Sequence, residues 1–163
     1  MPPLHHRDGG AVAACLLGDA FAELICDGIH IVPEIVSLVY KCKGEDGLVL
    51  ISDSMEATGC RDGEYSIAGN PVTVKNGKAL THSGALAGST LTLDVAVQNL
   101  MDFCNIPLSK ALPCATEAPA REVGIFDECG SIDVGKRADM LFIAPDEKKL
   151  QIKKIMLRGF FRD

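Results

Sequence analysis

Two short apolar runs decide the fold class of this chain: Ala20-Phe21-Ala22-Glu23-Leu24-Ile25-Cys26 and Leu48-Val49-Leu50-Ile51. Between them, residues 33–43 carry apolar side chains at helical spacing, and Gly44 marks the expected end of that helix. A strand, a helix and a second strand with continuous apolar runs are typical of a parallel sheet that is covered by helices. The sequence therefore predicts an α/β fold.

The pattern changes to short strands with tight turns over residues 63–80, where Asn76-Gly77 is a two-residue hairpin signal. We expect this stretch to be a short β-hairpin excursion from the α/β region. Helices are then predicted from Ser89-Thr90 to Phe103, near residues 108–116 and over residues 119–123.

The last part of the chain has a third pattern. Strands are predicted at residues 140–143 and 150–157, with a polar turn between them. We therefore expect two regions: residues 1–128 as the main α/β region and residues 129–163 as part of a small β domain.

The composition is that of a globular protein, because 47% of the 163 residues are hydrophobic and 23% are charged. The 16 basic and 22 acidic side chains leave a net charge of −6, which argues against nucleic acid or an anionic membrane surface as the main partner. No stretch approaches the roughly 20 apolar residues of a membrane helix, and the N-terminus does not have the pattern of a signal peptide. We expect a cytoplasmic location.

Seven cysteines occur at irregular spacing, and none of them forms a CxxC pair. Most have apolar neighbours. We interpret them as reduced, buried small hydrophobic residues rather than as a disulfide set or a zinc site.

Polar residues follow both predicted parallel strands: Asp27 and His30 after the first, and Asp53 after the second. Because the carboxyl ends of parallel strands face one common surface, these side chains are candidates for a site. Asp53 could act as a general base or bind a metal, or it could simply cap the following turn. His30 could equally fill a polar niche beside the next helix.

Two other segments are weaker candidates. Residues 84–90 form a loop rich in small residues that could approach a ligand closely, although it lacks the lysine of a phosphate-binding loop and the spacing of a dinucleotide fingerprint. Arg7 could bind a phosphate or carboxylate, or it could be an ordinary surface arginine. The adjacent His5 and His6 should point in different directions and are not interpreted as a metal pair, and His82 is interpreted as structural.

Four segments, in order and with similar intervals, carry a family resemblance: residues 1–8 (MPPLHHRD), 27–30 (DGIH), 50–59 (LISDSMEATG) and 86–94 (LAGSTLTLD). They resemble the N-acetylglucosamine-6-phosphate deacetylases of the amidohydrolase superfamily. Residues 130–140 (GSIDVGKRADM) look like the segment that returns the superfamily's chain to its small β domain. The similarity covers essentially the whole chain.

The resemblance implies a metal-dependent amide hydrolase on a (β/α)8 barrel of the TIM type with a small β-sandwich domain beside it. The family removes acetate from N-acetylglucosamine 6-phosphate. Asp53 matches the aspartate that moves the proton, and His30 matches a residue that contacts the sugar phosphate. Arg7 matches an arginine that reaches the phosphate bound by the neighbouring subunit, which implies a homodimer. The segment that lines the sugar pocket is matched by Leu86, Ala87 and Gly88.

A barrel of this type takes about 250 residues, so we expect the chain to be the C-terminal part of such an enzyme. The resemblance places the metal ligands, a glutamate and two histidines, before Met1. We therefore expect a divalent metal such as zinc only in the full-length enzyme, and no activity from this chain alone. An open half-barrel leaves strand edges and apolar faces uncovered, so association is also expected.

Two alternatives remain open at this point. One is a different amidohydrolase, dihydroorotase-like or adenine-deaminase-like. Such an enzyme would share the segment of residues 130–140 but would lack the segments of residues 1–8 and 27–30. The other is a non-catalytic module that binds a phosphosugar through Arg7 and His30.

Overall fold

The computed structural model describes residues 2–144 and 149–162. The helices are α1 (Gly10–Leu17), α2 (Pro33–Gly47), α3 (Leu93–Cys104), α4 (Leu108–Ala111) and α5 (Glu117–Glu122), with a 3-10 helix at Leu112–Ala115. The strands are β1 (Ala22–Ile25), β2 (Leu48–Ile51), β3 (Gly63–Ile67), β4 (Asn70–Lys75), β5 (Lys78–Thr81), β6 (Met140–Ile143), β7 (Ile152–Leu157) and β8 (Phe160–Arg162).

The first sheet is the parallel pair that the sequence predicts. β1 and β2 run side by side from Ala22 opposite Leu48 to Ile25 opposite Ile51, and α2 connects them. Gly44 has φ +64° and kinks α2 there, so the regular helix ends where the sequence indicated. A strand, a crossover helix and a parallel strand confirm the α/β class.

The main apolar core lies between this sheet and helices α2, α3 and α4. Val36, Leu48 and Leu100 are completely buried in it. Burying an aliphatic side chain of this size contributes roughly 1.5–3 kcal/mol relative to leaving it exposed. The side chain of Asn99 on α3 also donates a hydrogen bond of 2.7 Å to the backbone oxygen of Cys26, which holds the end of β1 against that helix.

The second sheet is an antiparallel meander of β3, β4 and β5, one strand larger than a simple hairpin. Asn76 and Gly77 connect β4 to β5 with φ values of +51° and +74°, as a two-residue hairpin turn requires. Side chains of this sheet form a second apolar cluster with Met55 and Ala87. The meander therefore packs on the two chain segments that lead into and out of it.

Helix α3 begins at Leu93, so the prediction of a start at Ser89-Thr90 is wrong. The backbone is still extended at Thr92, with φ −101° and ψ 155°, so the helical conformation begins only at Leu93. The Ser89 hydroxyl donates to the backbone oxygen of Ser52, and the Thr90 hydroxyl donates to the backbone oxygen of Gly77 at 3.1 Å. Both hydroxyl groups thus tie this loop to distant segments of the chain.

The third sheet consists of β6, β7 and β8 in antiparallel order. β8 was not predicted; a tight turn at Arg158-Gly159, with φ +50° and +80°, reverses the chain after β7. The predicted polar turn falls mostly on residues 145–148, which lie outside the described residues. The register places four apolar side chains on one face, and all four are exposed: Leu141, Ile155, Leu157 and Phe160.

All seven cysteines are free thiols, as expected, but their predicted burial is largely wrong. Cys26 and Cys114 are buried, whereas Cys42 and Cys60 are exposed and the other three are half-buried. Apolar neighbours in sequence did not guarantee burial because helical and loop positions alternate between core and solvent. Within the described residues, no helix has the length and apolar character to cross a membrane.

Candidate active site

Asp27, His30 and Asp53 lie at the carboxyl edge of the parallel strands. Asp27 and Asp53 each lie two residues beyond the paired positions Ile25 and Ile51, so the backbone brings them to the same edge. His30 follows Asp27 in the loop after β1. The structure therefore places Asp53 on the same rim as His30, as the parallel pairing required.

Asp27 and His30 form a hydrogen-bonded pair. One carboxylate oxygen of Asp27, Oδ2, lies 2.7 Å from His30 Nδ1. The other, Oδ1, accepts hydrogen bonds of 2.8 Å from the backbone amides of Ile29 and His30. The two side chains are 8% and 17% exposed, so the pair is largely shielded from water.

The electrostatics of Asp27 follow from these contacts. Burial by itself would raise the pKa of the Asp27 carboxyl. Hydrogen bonds from the His30 ring and from the backbone amides of His30 and Ile29 outweigh that effect and hold the pKa below its usual value. Asp27 is therefore an anion facing the Nδ1 side of His30.

Asp53 has the opposite environment. It is exposed, and among the described residues its carboxylate has no hydrogen bond or ion pair. Its backbone has φ +48°, a left-handed conformation that a non-glycine residue adopts only at a cost. Its carboxylate is thus free to accept a proton or contact a ligand. Its strained backbone must be held in place by adjacent segments of the same chain.

Ser89 supplies much of that support; the sequence placed it in the candidate loop 84–90 and as a helix cap, and did not predict this supporting role. It is 2% exposed and is the one polar residue among the described residues that is buried as a whole, backbone included. Its amide donates a hydrogen bond of 2.7 Å to the backbone oxygen of Asp53, and its own carbonyl accepts one of 2.9 Å from Met55. Its hydroxyl bonds to Ser52 and accepts a bond of 3.0 Å from the amide of Leu91.

The predicted pocket segment, residues 86–88, runs beside Asp53 with different contacts at each position. Leu86 forms an isolated bridge with Leu80 and is 40% exposed. Ala87 is buried in the second apolar cluster and its amide donates to the backbone oxygen of Ala79 at 3.0 Å. Gly88, with φ +66°, passes close to the Asp53 backbone. Only Leu86 therefore presents an exposed apolar side chain here.

Arg7 is not joined to the other candidates by any contact that the structure describes. It is exposed and lies in a turn closed by His5 and Asp8. The rings of His5 and His6 lie 4.4 Å apart, so the expectation that they diverge is wrong. A role of Arg7 in a neighbouring subunit's site remains a prediction.

The described residues do not fit a divalent metal without further ligands. Over residues 2–144 and 149–162, no three His, Cys, Asp or Glu side chains are grouped so that they could hold an ion. Asp27 and His30 are bound to each other, and Asp53 offers a single carboxylate.

The sequence profile of the amidohydrolase family matches residues 20–160, which include both parallel strands and all three sheets. This chain belongs to the amidohydrolase family. The match extends from β1 to the start of β8, so the family assignment covers the edge that carries Asp27, His30 and Asp53.

The relatives of this amidohydrolase chain are named as deacetylases of amino-sugar phosphates. An N-acetylglucosamine-6-phosphate deacetylase of Vibrio furnissii is 41% identical over 160 residues, covering 98% of this chain and 39% of its own length. A putative N-acetylgalactosamine-6-phosphate deacetylase of Escherichia coli strain K12 is 38% identical over 160 residues, covering 98% of this chain and 93% of its own length.

A solved structure shows the same fold. The N-acetylglucosamine-6-phosphate deacetylase of Thermotoga maritima superposes with a TM-score of 0.90 at 37% identity, over 98% of this chain and 43% of that one. The amidohydrolase chain therefore spans about 40% of the length of the Vibrio and Thermotoga proteins, and its fold is that of the matching part.

Proposed function

We propose that this chain carries the proton-transferring and phosphate-binding part of an active site that deacetylates an N-acetylated amino sugar 6-phosphate. The names of the relatives support this substrate class. The observation that carries the proposal is the exposed carboxylate of Asp53 at the carboxyl edge of β2, which has no partner among the described residues and whose backbone is held by Ser89. We place this edge in a TIM-type barrel, with β6–β8 as part of a β-sandwich.

The reaction is hydrolysis of the acetamide bond. Water adds to the carbonyl carbon, the C–N bond breaks, and acetate and the free amino sugar 6-phosphate leave. Asp53 accepts the proton from the attacking water and passes it to the departing nitrogen, so that one carboxylate serves as base and then as acid. An exposed carboxylate with no fixed partner is suited to both steps.

Substrate recognition is assigned to three sites. His30 contacts the phosphate, and residues 86–88 line the sugar pocket with Leu86 as the exposed apolar contact. Arg7 reaches the phosphate held by a second subunit, which makes the functional unit a homodimer. Calorimetry with glucosamine 6-phosphate tests this assignment, because Arg7→Ala should weaken binding if Arg7 belongs to the site.

Two further assignments complete the proposal. Amidohydrolases generally use a divalent metal, and we propose that a metal such as zinc is held by ligands outside the described residues. The location is cytoplasmic, since seven free thiols suit a reducing compartment.

A hybrid enzyme tests the function. This chain replaces the matching C-terminal stretch of the Vibrio furnissii protein, and acetate release is measured with zinc present. We expect deacetylation of the N-acetylated 6-phosphates of glucosamine, galactosamine or both, and a loss of about 10²- to 10⁴-fold on Asp53→Asn. The control is Asp19→Asn, which removes an exposed carboxylate that precedes β1, whereas the site residues follow the strands, and which should leave activity unchanged.

Each negative result removes a defined part of the proposal. A folded hybrid that releases no acetate from either sugar overturns the substrate class, and a panel that includes dihydroorotate and adenine then tests other amidohydrolase reactions. A hybrid that tolerates Asp53→Asn overturns the role of Asp53 alone. The unaltered 163-residue chain should release no acetate, because the metal ligands are expected outside it.

A further inference from the structure

The two oxygens of Asp27 have separate tasks. Oδ1 accepts both backbone hydrogen bonds, from Ile29 and His30, and by itself closes the turn after β1. Oδ2 has one partner, His30 Nδ1, at 2.7 Å. A turn needs only the first oxygen, so the second contact concerns the imidazole ring.

This contact determines how the ring can carry its protons. An ionised carboxylate only accepts hydrogen bonds, so Nδ1 must keep its hydrogen. Nε2 is then the ring nitrogen left for a ligand. It donates a hydrogen bond when the ring carries its second proton, and the carboxylate on the other side balances that positive charge.

We propose that Asp27 is a positioning residue that fixes His30 with Nδ1–H turned to the carboxylate and leaves Nε2 to bind the phosphate of the substrate. The proposal rests on the phosphate-binding role given to His30 above. Asp27 itself touches no substrate: it acts through the ring, as buried carboxylates do when they orient a functional histidine.

Asp27→Asn is the sharpest variant because the turn dictates which way the amide must point. The amide oxygen has to take the Oδ1 position, where two backbone amides donate to it. The NH2 group then faces Nδ1 of His30 and donates to it, which forces the opposite tautomer, Nε2–H. Asp27→Ser is a second variant that keeps an oxygen for the turn and removes the partner of Nδ1.

The first measurement uses the 163-residue chain and nitrogen-15 NMR of the four histidines at about pH 8, where an ordinary imidazole is neutral. His30 should be in the Nδ1–H form in the unaltered chain, in the Nε2–H form in Asp27→Asn, and no longer fixed in Asp27→Ser. The exposed His82 serves as the internal reference and should not change. A His30 tautomer that is unaffected by both variants overturns the proposal.

The second measurement adds glucosamine 6-phosphate, or glucosamine as the control without phosphate, at about pH 6, where an ordinary histidine is largely protonated. The Nε2 signal of His30 should shift with the phosphorylated sugar only, and Asp27→Asn should weaken the affinity about tenfold. No phosphate-dependent shift, or equal affinity in the variant, overturns the proposal. Failure of the proposed function shows separately, as absence of acetate release by the hybrid enzyme.

Discussion

A Cβ atom on Gly88 would lie 3.2 Å from the backbone oxygen of Asp53, tighter than nine in ten Cβ contacts in proteins. The same Cβ would lie 3.4 Å from Met55 and Ile67. The absence of a side chain at this position lets the loop before α3 reach the Asp53 backbone and form the hydrogen bond from Ser89. The geometry of Asp53 is therefore built by a segment more than thirty residues later in the chain.

Gly88→Ala should destabilise the chain more than Gly84→Ala does. Both residues have a left-handed backbone, with φ +66° and +81°, and each substitution costs roughly 1–2 kcal/mol for that reason. Only position 88 adds the close approach to Asp53, since a Cβ on Gly84 meets nothing within 4 Å. Urea unfolding measures the difference; equal losses would contradict the close packing.

Ser89→Ala should lower the free energy of unfolding by about 1–3 kcal/mol, the cost of leaving buried partners unpaired. The substitution removes the acceptor for the Leu91 amide and the donor to the Ser52 oxygen. Ser83→Ala is the matched control, because Ser83 is exposed and, among the described residues, its hydroxyl bonds to the Thr81 hydroxyl alone. If the two variants unfold at the same urea concentration, Ser89 does not support the site.

The Asp27–His30 pair should make stability depend on pH in the acid range. The folded-state pKa of Asp27 lies below the value of 3.8 for an ordinary aspartate, so its ionised form is favoured by folding. Its stabilisation is fully present above the unfolded pKa and is lost as the pH falls through the folded one. The stability difference between the unaltered chain and Asp27→Asn, from urea unfolding, should therefore shrink as the pH falls below about 4. A stability difference between the unaltered chain and the variant that stays constant down to strongly acidic pH would contradict this prediction.

The cysteines should differ sharply in reactivity. Burial raises the pKa of both Cys26 and Cys114 to about 12, with added repulsion from neighbouring groups such as Cys104 and Glu45. A thiol with such a pKa has almost no reactive thiolate near neutral pH. With Ellman's reagent on the folded chain, Cys42 and Cys60 should react promptly, and Cys26 and Cys114 only after unfolding. Labelling of the buried pair at the rate of the exposed pair would contradict their burial.

The exposed apolar face of the β6–β8 sheet should drive self-association of the isolated chain. Leu157 and Phe160 are 44% and 71% exposed on that face, and exposed apolar patches favour association. Light scattering should show a species larger than a monomer, reduced in Leu157→Thr/Phe160→Thr. The control is Leu17→Thr, which removes an 85% exposed leucine from α1. A clean monomer before any substitution contradicts the prediction.

The local elements of this protein follow from local sequence. The apolar runs of β1 and β2, the stop at Gly44 and the turn at Asn76-Gly77 depend on properties of neighbouring residues, and the structure has them as predicted. The position of Asp27 and Asp53 at one edge also follows, because parallel strands present their carboxyl ends on the same side.

The tertiary structure alone decided how the site is held together. Nothing in the sequence near Ser89 distinguishes a helix cap from a buried bridge to Ser52 and Asp53, because its partners lie more than thirty residues away. Likewise, the pattern of Asp27 and His30 shows two polar residues on a loop but not which oxygen meets which nitrogen. These hydrogen bonds join distant segments that the apolar clusters hold side by side, so packing, rather than local preference, sets the geometry of Asp53.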